Sequence, residues 1–210
     1  MSVQFDYWAI PPSSTLFQRL LTDKAFVNLM AALFPHGPSV FVFFDSVEPY
    51  ERDEILGSII ESGRLGNEAE ARRLIDEFRL ELERTRLAYP GIGQRRCSLE
   101  KSFVPILERI SEALRDVRDD SDKFITRLMT GGHRFLYVGH STCPPDIRED
   151  SDDGVGLVPS PLVQEGARLI GELDAEALFA HELTFKDFKR WHGLYRDAAA
   201  LGEAILVGLA

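Results

Sequence analysis

The sequence predicts an α+β fold, a mostly helical single domain with a small sheet. Two observations lead to this prediction. Short β-prone runs are separated by long stretches with helical periodicity, and the chain shows no internal repeat. The length of 210 residues suits one domain, and 44% hydrophobic with 28% charged residues is typical of a globular chain. We therefore expect a core that forms without disulfides or metals.

Short apolar runs predict strands near residues 3–10, 40–44 and 134–138. Apolar and polar side chains alternate along the first run until Trp8 and Ile10 break the polar side. We therefore expect its far half to be covered on both faces. The second run is continuously apolar, which is typical of a buried strand. Residues 204–207 either extend the last helix or pair as a fourth strand.

Helix signals account for most of the remaining chain. Asn67 with Glu70 three residues later forms a capping box, and an apolar stripe follows at helical spacing. Ser102 is predicted as the next N-cap, because it places Pro105 where no intrahelical N–H is required. A short helix is expected over 122–129.

Three more helix starts are predicted towards the C-terminus. Ser160 followed by Pro161 is typical of a cap with proline in the first turn, and Asp174 and Thr184 are predicted as further caps. The last helix carries an aromatic stripe, which favours core packing over cofactor contact. The stripe consists of Phe185, Phe188, Trp191 and Tyr195.

The charge balance argues against two classes of partner. Asp and Glu outnumber Lys and Arg by 34 to 24, which gives a formal net charge of −10. A field of that sign repels phosphate backbones and anionic lipids, so we expect no nucleic-acid and no membrane partner. The best basic cluster is Arg95-Arg96 with Lys101 nearby. The chain shows no signal-peptide pattern, no apolar run of bilayer length and only two cysteines, so a soluble cytoplasmic protein is expected.

Several weak motifs follow one another in a recognisable order. The N-terminal strand leads through prolines and serines into a Leu-rich helix, and later motifs are Asp122-Lys123-Phe124, Leu128-Met129-Thr130-Gly131, Tyr137-Val138-Gly139, Leu157-Val158-Pro159-Ser160-Pro161-Leu162-Val163, and Tyr195 with Gly202. This order resembles the YfbM-like family of small bacterial proteins, a domain-of-unknown-function family, over residues 1–35 and 100–210. The resemblance implies an α+β fold and no particular reaction.

Two departures from the family pattern are visible. Phe124 stands where the family tends to have Trp, and the spacing from there to Thr130-Gly131 is shorter. Residues 37–96 have no clear counterpart. We therefore predict one domain over residues 1–210, in which 37–96 is a family-variable helical insertion.

The most suggestive catalytic candidates lie between residues 139 and 146. His140 and Cys143 have the residue types of a base and a nucleophile, and Asp146 would orient the imidazole. The acidic neighbours oppose thiolate formation, so a loop histidine and an incidental cysteine are the preferred interpretation. His133 lies at the other end of the predicted strand, about 17 Å away, and does not join them.

Metal and cofactor sites are not predicted. No Cys-x-x-Cys or His-Glu-x-x-His motif adds zinc ligands to His140 and Cys143. A calcium-loop alignment on the acidic run 146–153 fails at Ser160, where a glutamate is required. Whether this run binds a cation more weakly stays open.

Three functional hypotheses remain at this stage. The first is a non-enzymatic protein-binding or regulatory module, for example an immunity-like protein, whose partner has a basic surface. The alternative is a hydrolase or transferase that uses His140, Cys143 and Asp146. The third is a homo-oligomer subunit that associates through the aromatic C-terminal helix. The sequence favours the first, with no cofactor and no defined oligomeric state.

Overall fold

The computed structural model describes residues 4–23, 25–26, 29, 49–61, 65–91, 95–100, 104–131, 133–136, 154–179 and 182–209. Their helices and strands are β1 Gln4–Ile10, α1 Thr15–Thr22, α2 Pro49–Glu61, α3 Glu68–Ala88, β2 Arg96–Glu100, α4 Val104–Leu114, α5 Ser121–Thr130, β3 His133–Leu136, β4 Gly154–Val158, α6 Ser160–Gly171, α7 Ala175–Leu178, α8 Glu182–Ala200 and β5 Ala204–Leu209. The predicted α+β class, mostly helical with a small sheet, is confirmed.

The five strands form one antiparallel sheet in the order β2-β1-β5-β4-β3. The strands predicted near 3–10 and 134–138 are present, and residues 204–207 form a strand rather than extending the last helix. The segment 40–44 lies outside the described residues. β1 and β3 share the sheet, but β5 and β4 separate them. The strands β2 and β4 were not predicted.

Both faces of the sheet are covered by helices, as expected for the far half of β1. Trp8, Ile10 and Leu206 face a cluster that includes buried side chains of α1, α2 and α3. Tyr7 and Val207, on the opposite face, pack in a cluster with α4, α5, α6 and α8. The side chains alternate between the clusters because successive residues of a strand point to opposite faces.

Several helix starts follow the local sequence. The Asn67 side chain accepts a hydrogen bond from the backbone N–H of Glu70 at 3.0 Å, as the capping box predicts. Pro159 occupies the N-cap of α6 and Ser160 is the first helical residue, so the predicted capping role of Ser160 is wrong. The Ser160 hydroxyl donates instead to the Gly202 carbonyl at 2.6 Å. Thr184 lies inside α8, so its predicted capping role is wrong. The predicted cap Ser102 lies outside the described residues.

The aromatic stripe of α8 is core, as predicted. Phe188, Trp191 and Tyr195 are buried, and Trp191 lies 4.8 Å from Tyr195 between ring centroids. These side chains pack within the chain itself and are not available as an oligomer interface.

The end of α5 crosses β4 at very short range. A Cβ atom built on Gly156 would lie 2.0 Å from the Thr130 carbonyl oxygen, so only glycine fits there. Two buried tyrosines hold the same end of α5, since Tyr7 donates to the Met129 carbonyl at 3.1 Å and Tyr195 donates to the Leu128 carbonyl. Burial raises the pKa of both hydroxyls, which keeps them protonated as donors.

Candidate functional site

The predicted catalytic residues His140, Cys143 and Asp146 lie outside the described residues. They belong to the segment 137–153, which connects β3 to β4. On either side of this segment, Leu136 of β3 pairs with Val155 of β4. The hypothesis of a site near 139–146 stays a prediction.

The described residues contain one cysteine, Cys97 on β2, and it is not an activated nucleophile. Its side chain is buried in the core cluster between the sheet and the helices α4, α5, α6 and α8, and burial raises its pKa to about 12. At neutral pH it is therefore almost entirely protonated.

His192 lies at the edge of the core, as the sequence indicates. Its ring stacks on Phe188 with centroids 5.6 Å apart, and its Nε2 lies 3.3 Å from the Ala167 carbonyl oxygen. Partial burial lowers its pKa. These contacts give His192 a packing role at the edge of the core.

A cleft of about 540 Å³ lies among the described residues. Its volume falls within the range typical of ligand pockets. Three turns meet there, and we refer to it as the three-turn cleft. The described lining residues are Pro11, Pro12 and Ser13 after β1, Ala88 to Gly91 after α3, Arg95 before β2, and Leu201 to Glu203 between α8 and β5.

Local sequence signals produce the first of these turns. Pro11 and Pro12 end β1, because proline has no N–H to continue the ladder. Ser14 then caps α1, since its hydroxyl accepts from the Phe17 N–H at 3.1 Å and donates to the Pro11 carbonyl at 2.8 Å. The chain therefore turns away from the sheet at Pro11 and leaves Ser13 exposed at the cleft rim.

An ion pair closes one side of the cleft. The Arg95 guanidinium donates from both Nε and Nη2 to the two carboxylate oxygens of Glu203, with an Nε–Oε2 distance of 2.8 Å. The Glu203 side chain is only 5% exposed and that of Arg95 27%. A nearly buried carboxylate is stable only with a cationic partner, and the bidentate Arg95 guanidinium neutralises the Glu203 charge. Neither charge is left over for acid–base chemistry.

The remaining polar side chains of the described lining also contact each other. The hydroxyls of Ser13 and Tyr89 are 2.5 Å apart. The other lining side chains are mainly apolar, and Leu201 is 60% exposed. The described lining thus offers an apolar surface with paired polar groups, and no hydroxyl there has a histidine or a free carboxylate beside it.

Sequence reasoning missed this cleft. Arg95 was predicted to belong to a basic cluster with Arg96, but its charge is neutralised by Glu203, which is 108 residues away. The available signals were the Pro-Pro, Pro-Gly and Leu-Gly turns, and nothing in a local pattern shows that these three turns meet.

Two further kinds of feature are absent from the described ranges. There, no group of three or more His, Cys, Asp or Glu side chains is arranged to hold a metal ion. No helix in the same part of the chain combines the length and apolar character required to cross a bilayer.

Comparison with known proteins gives no relative. Neither the models of known protein families, nor the curated proteins, nor the solved structures contain a match to this chain. The resemblance to the YfbM-like family therefore stays a prediction.

Proposed function

We propose that this chain is a non-enzymatic protein-binding module, and that the three-turn cleft receives an apolar segment of its partner. The main support for this proposal is that the polar side chains of the described lining are paired with one another. Arg95 is paired with Glu203 and Ser13 with Tyr89, so the described lining provides contact area without an activated group. Prolines, Tyr89 and Leu201 are suited to such contact, because they bury apolar surface with few rotamers to lose.

The charge of the chain supports a partner with a basic surface. The net charge is −10, and the run 146–153 contains five acidic residues and one arginine. A long-range field of this sign speeds encounter with a positively charged protein and repels acidic ones. Gly154, the first described residue after this run, pairs with Leu209, whereas Ile10 beside the cleft pairs with Ala204 at the other end of β5. Charge would therefore steer the encounter, while the cleft makes the apolar contact.

A capture experiment with two matched variants tests this function. Leu201→Asp puts a charge into the cleft, and Val117→Asp puts the same charge at a site outside the cleft that is similarly exposed, at 67% against 60%. We expect wild type and Val117→Asp to retain the same basic protein from a native lysate. We expect Leu201→Asp to lose it, and retention to fall as NaCl rises from about 50 to 500 mM.

Three results would contradict the proposal. One is a captured protein that both variants retain equally. The second is an acidic partner, or one whose retention does not change with salt. The third is catalytic turnover of a substrate that is unaffected by Leu201→Asp. Circular dichroism of both variants establishes that each is folded.

A further inference from the structure

Strand β2 lies at one edge of the sheet. It pairs with β1 on one side, and no other described strand lies on its other side. The Ala9 N–H donates to the Arg95 carbonyl at 3.1 Å, so alternate peptide groups from there onwards face β1, those of residues 95, 97 and 99. The N–H and C=O groups in between face the outer edge of the sheet. They belong to positions 96, 98 and 100, which we call the outward positions.

The sequence of β2 is symmetric about Ser98. Its five residues place a positive charge two positions before Ser98, at Arg96, and a negative charge two positions after it, at Glu100. These positions share one face of the sheet, because side chains alternate along a strand. Cys97 and Leu99 are buried on the other face. A strand with this pattern is complementary to a copy of itself that runs in the opposite direction.

We propose that β2 pairs with β2 of a second copy of the chain, antiparallel, with Ser98 opposite the partner's Ser98. Each step forward along one strand is then a step back along the other, so Arg96 lies opposite the partner's Glu100. The two-fold axis repeats this contact at the other end of the pair. Cys97 lies opposite the partner's Leu99 on the buried face, and the two sheets become one continuous sheet.

Backbone geometry and charge select the same register. With Ser98 at the axis, the outward positions of the two strands meet one another and can exchange N–H···O=C bonds. A shift by one residue would bring outward groups against inward ones, and a shift by two would place Ser98 opposite a charged residue. A parallel pair in register would place like charges side by side. The contact involves five residues from each chain, so we expect a reversible, concentration-dependent dimer.

Amide hydrogen exchange of the purified chain, followed by NMR at about 50 μM and about 1 mM, tests whether this edge is the contact. For a dissociation constant of about 0.1 mM, the amide protons at the outward positions should exchange about threefold more slowly in the concentrated sample. Those of Cys97 and Leu99 face β1 in the monomer already, so their exchange should be the same in both samples. They serve as the internal control.

Sedimentation equilibrium with charge variants tests the register. Wild type should move from 23.7 kDa towards twice that mass between about 10 μM and 1 mM. Arg96→Glu places glutamates opposite each other at both ends of the pair and should weaken dimerisation about tenfold. Adding Glu100→Arg restores opposite charges, so dimerisation should return to within about threefold of wild type. Arg115→Glu makes the same charge reversal at a site outside β2 that is 61% exposed, and should leave dimerisation unchanged.

Three results would overturn the proposal or its register. A wild type that stays at 23.7 kDa at every concentration overturns the dimer. A dimer in which the outward positions exchange at the same rate in both samples uses another surface, and also overturns the proposal. A double variant that is folded by circular dichroism and fails to recover dimerisation overturns the pairing of Arg96 with the partner's Glu100.

Discussion

Replacing Gly156 by alanine should destabilise the protein through a contact between backbones. Gly156 lies on β4, where the end of α5 crosses the strand. An added Cβ would meet the Thr130 carbonyl oxygen at 2.0 Å and the Gly131 Cα at 3.2 Å. Both are main-chain atoms, so no side-chain rotamer can relieve the overlap.

The size of the effect follows from the required movement. Ordinary contact begins at 3.4 Å, so the strand and the helix end must separate by about 1.4 Å. This movement strains the hydrogen bonds that Tyr7 and Tyr195 donate to the carbonyls of Met129 and Leu128. Overpacking of a buried site typically costs 1–3 kcal/mol, and we expect about 2 kcal/mol for Gly156→Ala. For a chain of this length that corresponds to a fall in Tm of about 4–8 °C.

Thermal and urea unfolding followed by circular dichroism measure this change, with Gly193→Ala as the matched control. Gly193 lies in α8, and a Cβ there would have nothing within 4 Å. The same substitution should therefore stabilise the protein by about 0.5–1 kcal/mol, because alanine loses less backbone entropy in a helix. Equal stability of Gly156→Ala and wild type would refute the crossing of α5 over β4.

Three further predictions concern other groups. Tyr195→Phe removes the hydroxyl that donates a hydrogen bond to the Leu128 carbonyl, so it should lower the free energy of unfolding by about 1 kcal/mol in urea titrations. An unchanged urea midpoint would show that this hydrogen bond does not stabilise the fold. The hydrogen bond from Arg19 holds the pKa of Asp23 below its ordinary value of 3.8, so the stabilisation from this pair is present above pH 3.8 and is lost as the pH falls further. The difference in unfolding free energy between wild type and Arg19→Met should therefore shrink from pH 6 to pH 2. A difference that stays constant over this range would contradict the prediction. Cys97 is buried and its pKa is raised to about 12, so it should not react with a thiol reagent at pH 8 while the protein is folded. Wild type and Cys97→Ser should therefore bind equal amounts of the reagent when folded, and wild type should bind one equivalent more after unfolding. A difference between the two folded proteins would show that the thiol is accessible.

The parts of the fold that the sequence predicts are those with a long or local signal. The buried stripe of the 21-residue helix α3 runs from Ala71 to Thr85. Asn67 and Asp174 each accept their capping hydrogen bond from a backbone N–H three residues further along the chain. Strand β1 spans seven residues and alternates between polar and apolar side chains up to Tyr7, so the period of a strand is visible in the sequence.

The missed strands are short and are defined by their neighbours. β2 spans five residues, and Cys97 and Leu99 are buried in the core whereas Arg96 at the start of the strand is exposed. β4 also spans five and contains Gly154 and Gly156, which favour a loop when the sequence is taken alone. Both are strands because β1 and β5 offer them backbone partners from distant parts of the chain.

The cleft was beyond sequence reasoning for the same reason. Its lining comes from three turns that are more than 70 residues apart in the chain, and it forms only where β1 pairs with β5 and α3 ends beside them. Arg95 and Glu203 each have an unremarkable local sequence, and only the sheet brings them together. The candidates in the 139–146 segment were chosen in the opposite way. His140 and Cys143 are residue types that are common in catalytic sites, and no spatial information entered that choice.

The central claim is that the three-turn cleft contacts a partner protein, and site-specific photocrosslinking tests it most directly. A benzophenone amino acid replaces Leu201 at the cleft or Val117 away from it, two positions of similar exposure. The account predicts that irradiation in native lysate joins position 201 to one basic protein, and that position 117 gives no such product. The absence of a product from position 201, or the same product from both positions, would contradict it.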